Sequence, residues 1–93
     1  MFTADKYIAR NTKVPFRIIE GEAILVDAKK GEVIHLNEVG AEIWGFLDTR
    51  KKVAKVIGHI CEVFDVDEKT AREDTLEFIR ELTEAGLLLS SDA

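Results

Sequence analysis

Residues 36–44, Leu36 to Trp44, read LNEVGAEIW, and this stretch decides the fold. A strand pattern ends at Leu36, Asn37 offers a side-chain oxygen to cap the first turn of a helix, and Val39, Ile43, Trp44 and Leu47 then recur at helical spacing. Gly40 sits early in that helix, where glycine costs about 1 kcal/mol relative to alanine. Its presence there predicts a close neighbour, either another backbone or a bulky ring. Upstream, Ala23 to Leu36 reads as two short strands about a turn, with Gly31 suited to positive φ and Glu32 to Leu36 as the returning strand. A still earlier strand, Val14 to Ile19, carries Pro15, which places it at a sheet edge or at the start of a strand.

Downstream, Val53, Val56, Ile57, Ile60, Cys61 and Phe64 mark a second amphipathic helix after a connection at Asp48 to Lys52. A third helix begins near Asp65 or Asp67 and presents Ala71, Thr75, Phe78, Ile79 and Leu82 inward. Gly86 ends it in a left-handed conformation, and Leu87 to Leu89 pack back as an extended tail. The expected fold is α+β and winged-helix-like: a short N-terminal three-stranded antiparallel sheet followed by three helices. Residues 1–13 lack a period and read as a flexible arm, residues 14–89 as the domain, and residues 90–93 as a disordered tail.

Ninety-three residues make one small domain, and 46% hydrophobic with 33% charged residues fits a globular chain. No apolar run approaches the roughly 20 residues that span a bilayer, and the first ten residues hold no signal-like apolar block, so a cytoplasmic location is expected. One cysteine, Cys61, excludes an internal disulfide; it reads as a small buried hydrophobe. His59 and Cys61 stand two apart on a helix and point different ways, so with His35 they make no metal site. No Gly-rich phosphate loop, activated nucleophile or spaced acid pair is present, so neither catalysis nor a cofactor is expected.

The net charge of −5 is uneven. Asp65 to Gly86 holds eight acids and three bases, leaving ten of each elsewhere. A winged-helix nucleic-acid binder needs a basic recognition helix, whereas the third helix here carries the whole acidic excess. The cluster Arg50, Lys51, Lys52 and Lys55 is the only basic patch, and it reads as a solvated loop. Nucleic acid is therefore not the expected partner, although a winged-helix nucleic-acid binder and a self-associating module that pairs its strand edge with a twin are the rival architectures.

Leu36, Asn37, Gly40, Ala41, Ile43 and Trp44, with Phe64-Asp65, Asp74 and Gly86-Leu87-Leu88, form an ordered set over about Val14 to Leu89. In that set the chain resembles the PqqD family of pyrroloquinoline quinone biosynthesis and the wider PqqD-like domains that recognise leader segments of ribosomally made, modified peptides. Asp48-Thr49 departs from the family's usual aspartate-glycine and removes a tight turn. The resemblance implies a non-catalytic adaptor or peptide chaperone, monomeric or weakly dimeric. Its implied partners are a precursor peptide and a modifying enzyme, often a radical S-adenosylmethionine enzyme. It implies that the leader adds as a strand beside Glu32, Val33, Ile34, His35 and Leu36 and lies against the third helix. On that helix Leu76 and Ile79 are the candidate groove floor, with Ile79 equally suited to the core. Arg72 and Arg80, within about 80° of one another around the helix, are candidates to steer acidic leader residues; pairing with Glu68, Glu73 and Glu84 is the ordinary alternative.

Overall fold

The computed structural model describes residues 5–92. Chain order is β1 (Tyr7–Arg10), β2 (Phe16–Ile19), β3 (Glu22–Asp27), β4 (Glu32–Leu36), α1 (Glu38–Phe46), β5 (Lys51–Lys52), α2 (Val53–Val63), α3 (Glu68–Glu84) and β6 (Leu88–Ser91). β2, β3 and β4 form the expected antiparallel sheet in that order, and the three helices follow it. The β2–β3 turn is two residues long, with Glu20 at φ 51° and Gly21 at φ 82°. Two consecutive positive φ values suit the right-handed twist of a tight hairpin. Across β3–β4, Gly31 takes φ 65°, and the buried Asp27 carboxylate accepts from the amides of Lys29 and Lys30 at 3.1 and 3.3 Å. That local bond satisfies a carboxylate that burial would otherwise penalise.

Alternation along the register sorts the sheet faces. Phe16, Ile18, Ala23, Leu25, Ile34 and Leu36 share the face that packs on the helices. Arg17, Ile24, Val26, Val33 and His35 share the other. Trp44 lies at the centre of the core, fully buried with Ile8, Leu25, Ile43, Leu47, Ile60, Ile79 and Leu88. The Phe16 ring meets it edge-on at 5.6 Å, and the Arg10 guanidinium lies over both rings.

The helix ends follow their sequence signals. Asn37 Oδ1 accepts from Gly40 N at 2.9 Å and Asp67 Oδ1 from Thr70 N at 2.7 Å. Gly86, at φ 79°, closes α3: its amide bonds Thr83 O and that of Leu87 bonds Leu82 O, which satisfies carbonyls the helix leaves free. Hydrogen bonding from Thr70 holds the Asp67 carboxyl below its ordinary range. The sign follows directly: a depressed folded-state pKa stabilises above the unfolded value, and that stability disappears as pH falls through the folded one. Asp67→Asn should keep the cap and flatten the acid limb of the stability profile below about pH 4. Thermal melts of both proteins from neutral to acid pH check this; parallel curves would show that the cap is silent.

Two expectations are corrected. Residues 7–10 are not an arm and residues 90–91 are not a free tail. β1 pairs antiparallel with β6, through Tyr7–Ser91 to Arg10–Leu88, and with β5, making a second sheet of order β5-β1-β6. Ile8 is fully buried, Asn11 donates through Nδ2 to Gly86 O at 2.9 Å, and Lys6 pairs with Asp92 at 2.7 Å. All of these partners are distant in sequence, so no local turn signal announces the strands. Residues 1–4 of the expected arm and the last tail residue lie outside the described residues. Cys61 packs against the core as its helical stripe implies, but it is only half-buried.

Candidate functional site

Among the described residues β4 pairs with β3 on one side only, so its other backbone edge is open. Of the candidate strand residues, Glu32, Val33 and His35 are exposed, Ile34 is half-buried against the core, and Leu36 is buried. β2 is the second open edge of this sheet, and it begins beside Pro15, as the sequence requires. What distinguishes β4 is where it leads. Its last residue runs straight into α1, and the start of α1 forms one wall of a groove whose other wall is α3.

That groove, about 310 Å³, is lined by Asn37, Val39 and Gly40 on the α1 side and Asp74, Glu77, Phe78 and Glu81 on α3. Gly40 makes the close approach possible. A Cβ there would stand 2.9 Å from Phe78 Cε1 and 3.3 Å from Leu36 Cβ. The bulky ring that an early helical glycine implies is therefore Phe78. It is half-buried and forms the apolar floor beside the exit of β4.

None of the helix residues expected at the site lines this groove. Ile79 is fully buried in the core and has no surface to offer a ligand. Arg72, Leu76 and Arg80 each sit two residues from Asp74 or Phe78, about 160° around the helix, and none lines the groove. Arg72 pairs with Glu68 at 4.0 Å and lines a separate depression with Ile57, Cys61 and Val66 between α2 and α3. Arg80 pairs with Glu84 at 3.6 Å, and Lys69 with Glu73 at 4.0 Å. Each base of α3 thus answers a carboxylate four residues away. Asp74, Glu77 and Glu81 have no such ion pair among the described residues, so the groove presents uncompensated negative charge around an apolar floor.

The two histidines and the cysteine do not assemble. His59 Nε2 meets Glu42 Oε2 at 2.7 Å and its ring stacks on Phe46 at 3.9 Å, while His35 lies on the exposed sheet face. Among the described residues no group of three or more His, Cys, Asp or Glu is placed to hold a metal, and no helix is long and apolar enough to cross a membrane.

The family model for coenzyme PQQ synthesis protein D (PqqD) matches residues 22–88, from the start of β3 to the start of β6. The chain belongs to the PqqD family. It is also similar to a solved structure, TbiB1 in complex with the TbiA(beta) leader peptide, at 29% identity and a TM-score of 0.77, over 86% of this chain and 93% of that one. No curated protein matches it. The PqqD match begins after β2 and includes β4, all three helices and both walls of the groove. In this PqqD-family chain, Val39 and Phe78, which periodicity marks only as inward-facing, and Asp74, Glu77 and Glu81 line the groove without having been expected at the site. The available signal was the pairing of an early helical glycine with an aromatic on the inward side of α3.

Proposed function

We propose that this PqqD-family chain is a non-catalytic peptide-binding adaptor that holds the leader segment of a ribosomally made precursor peptide for a modifying enzyme of the radical S-adenosylmethionine type. The leader adds as a strand to the open edge of β4, with side chains continuing into the groove between α1 and α3. The observation that carries this reading is the continuity of an unpaired strand edge with an apolar floor at its end. The leader peptide in the similar TbiB1 complex supports it.

Energetics explain why both parts are needed. Each backbone hydrogen bond contributes only about 0.5–1.5 kcal/mol net, while ordering the peptide costs about 1–2 kcal/mol per residue. Strand pairing alone therefore gives register without affinity. Apolar leader side chains buried against Val39 and Phe78, at about 1.5–3 kcal/mol each, supply the surplus. The carboxylates around that floor favour a leader with a basic residue beside its apolar anchor. They also oppose nucleic acid, because the helix that a winged-helix protein would insert into a groove here exposes Asp74, Glu77 and Glu81.

Isothermal titration with the leader of its precursor should show one class of site, weakening as salt rises. The isolated chain should leave the peptide unmodified until enzyme is added. Modification by the chain alone, detected by mass spectrometry, would end the adaptor reading.

A further inference from the structure

A second surface is built on Tyr7 and the segment that joins α1 to α2. Tyr7, Arg50, Lys51, Lys52, Ala54 and Lys55 line an open depression of about 560 Å³. The Arg50 guanidinium lies 4.4 Å from the Tyr7 ring centroid and the Lys52 ammonium 5.7 Å from it, so the ring holds two cations on a β1 that is paired on both sides. Lys51 has turned away. Its ammonium donates to Phe46 O at 2.7 Å and pairs with Asp48 at 3.1 Å. Arg50, Lys52 and Lys55 have no carboxylate within ion-pair distance among the described residues, while every base on α3 has one. Three uncompensated cations are thus gathered beside one aromatic ring on a chain of net charge −5.

We propose that Tyr7, Arg50, Lys52 and Lys55 form a docking surface for a carboxylate-rich segment of a partner protein, distinct from the β4 edge. Charge complementarity fixes the chemistry of the occupant, and the size of the patch fixes its length. A short acidic segment stays within the depression. A nucleic acid or an anionic membrane presents phosphates well beyond the three cations of this patch, where a chain of net charge −5 offers little to neutralise them. Neither wall of the leader groove contributes a residue to this depression, so both surfaces can be occupied together.

The test uses the full chain, isotopically labelled, with an octaglutamate peptide as probe and octaglutamine as its neutral control, at about 50 mM salt. Octaglutamate should shift the amide resonances of Tyr7, Arg50, Lys52, Ala54 and Lys55 together, octaglutamine should not, and raising the salt to about 200 mM should weaken binding at least tenfold. Arg50→Glu with Lys55→Glu should cut octaglutamate affinity at least tenfold with the circular dichroism spectrum and leader binding intact. Should that pair disturb folding, Lys52→Glu alone repeats the measurement at an exposed position. Shifts that match those from octaglutamine, or tighter binding to a short DNA duplex or to phosphatidylserine vesicles, would overturn the proposal. Because leader binding is read separately, failure here leaves the adaptor reading standing, and the reverse holds too.

Discussion

Trp44→Ala should destabilise the protein by about 3–5 kcal/mol, the range for removing a buried aromatic, against the roughly 5–15 kcal/mol that a small domain has in total. Trp44 is fully buried, Phe16 meets its ring edge-on, and the Arg10 guanidinium lies over it while donating to its carbonyl at 3.4 Å. Truncation opens a cavity in the core, and Arg10 on β1 and Phe16 on β2 lose their contacts at once. Trp44→Phe should cost far less. The indole Nε1 is buried without a hydrogen-bond partner, so replacing it removes a desolvated donor as well as volume. Urea unfolding of the three proteins separates these outcomes. A loss below about 1 kcal/mol for the alanine variant would mean that the core is not centred on this ring.

The second large effect concerns function. Adjacent residues of an edge strand direct their backbone groups to opposite sides, so one of Ile34 and His35 donates toward β3 and the other toward the open edge. Proline removes the donor and fixes φ. Ile34→Pro and His35→Pro should therefore differ sharply. The variant whose lost N–H faced outward should bind leader roughly tenfold to a hundredfold more weakly, about 1.4–2.8 kcal/mol, with its fold retained. The other should mainly lose stability, because it breaks the β3–β4 ladder. Circular dichroism and titration on both variants keep the two effects apart. Equal, unimpaired leader binding by two folded proline variants would place the peptide elsewhere.

What the sequence made legible is local. The caps at Asn37 and Asp67, the left-handed Gly86, the strand Glu32–Leu36 and the ring beside Gly40 all rest on residues within a turn or two, or on a contact that a costly glycine announces. The second sheet rests on pairings such as Ile8 with Ser90, so nothing near β1 marks it as a strand. The choice of flank on α3 was hidden for a related reason. The inward stripe Ala71, Thr75, Phe78, Ile79 and Leu82 is plain from period, but Phe78 is only half-buried at its margin and Leu76 lies on the opposite side. Only the packing of α1 against α3 decides that Phe78, rather than Leu76, meets the end of β4. The basic cluster was visible as well, yet Tyr7, the ring that gathers it, comes from a strand the sequence did not announce.

Amide hydrogen exchange on the leader complex tests the central claim most directly, because the sheet contains its own control. β2 and β4 are both open edges, but only β4 runs into the groove. Adding the leader should slow exchange at alternate amides of Glu32 to Leu36, and at Val39 and Gly40 beside them, while Phe16 to Ile19 exchange as in the free protein. Protection at β2, or none on β4 at saturating leader, would contradict strand addition at this edge.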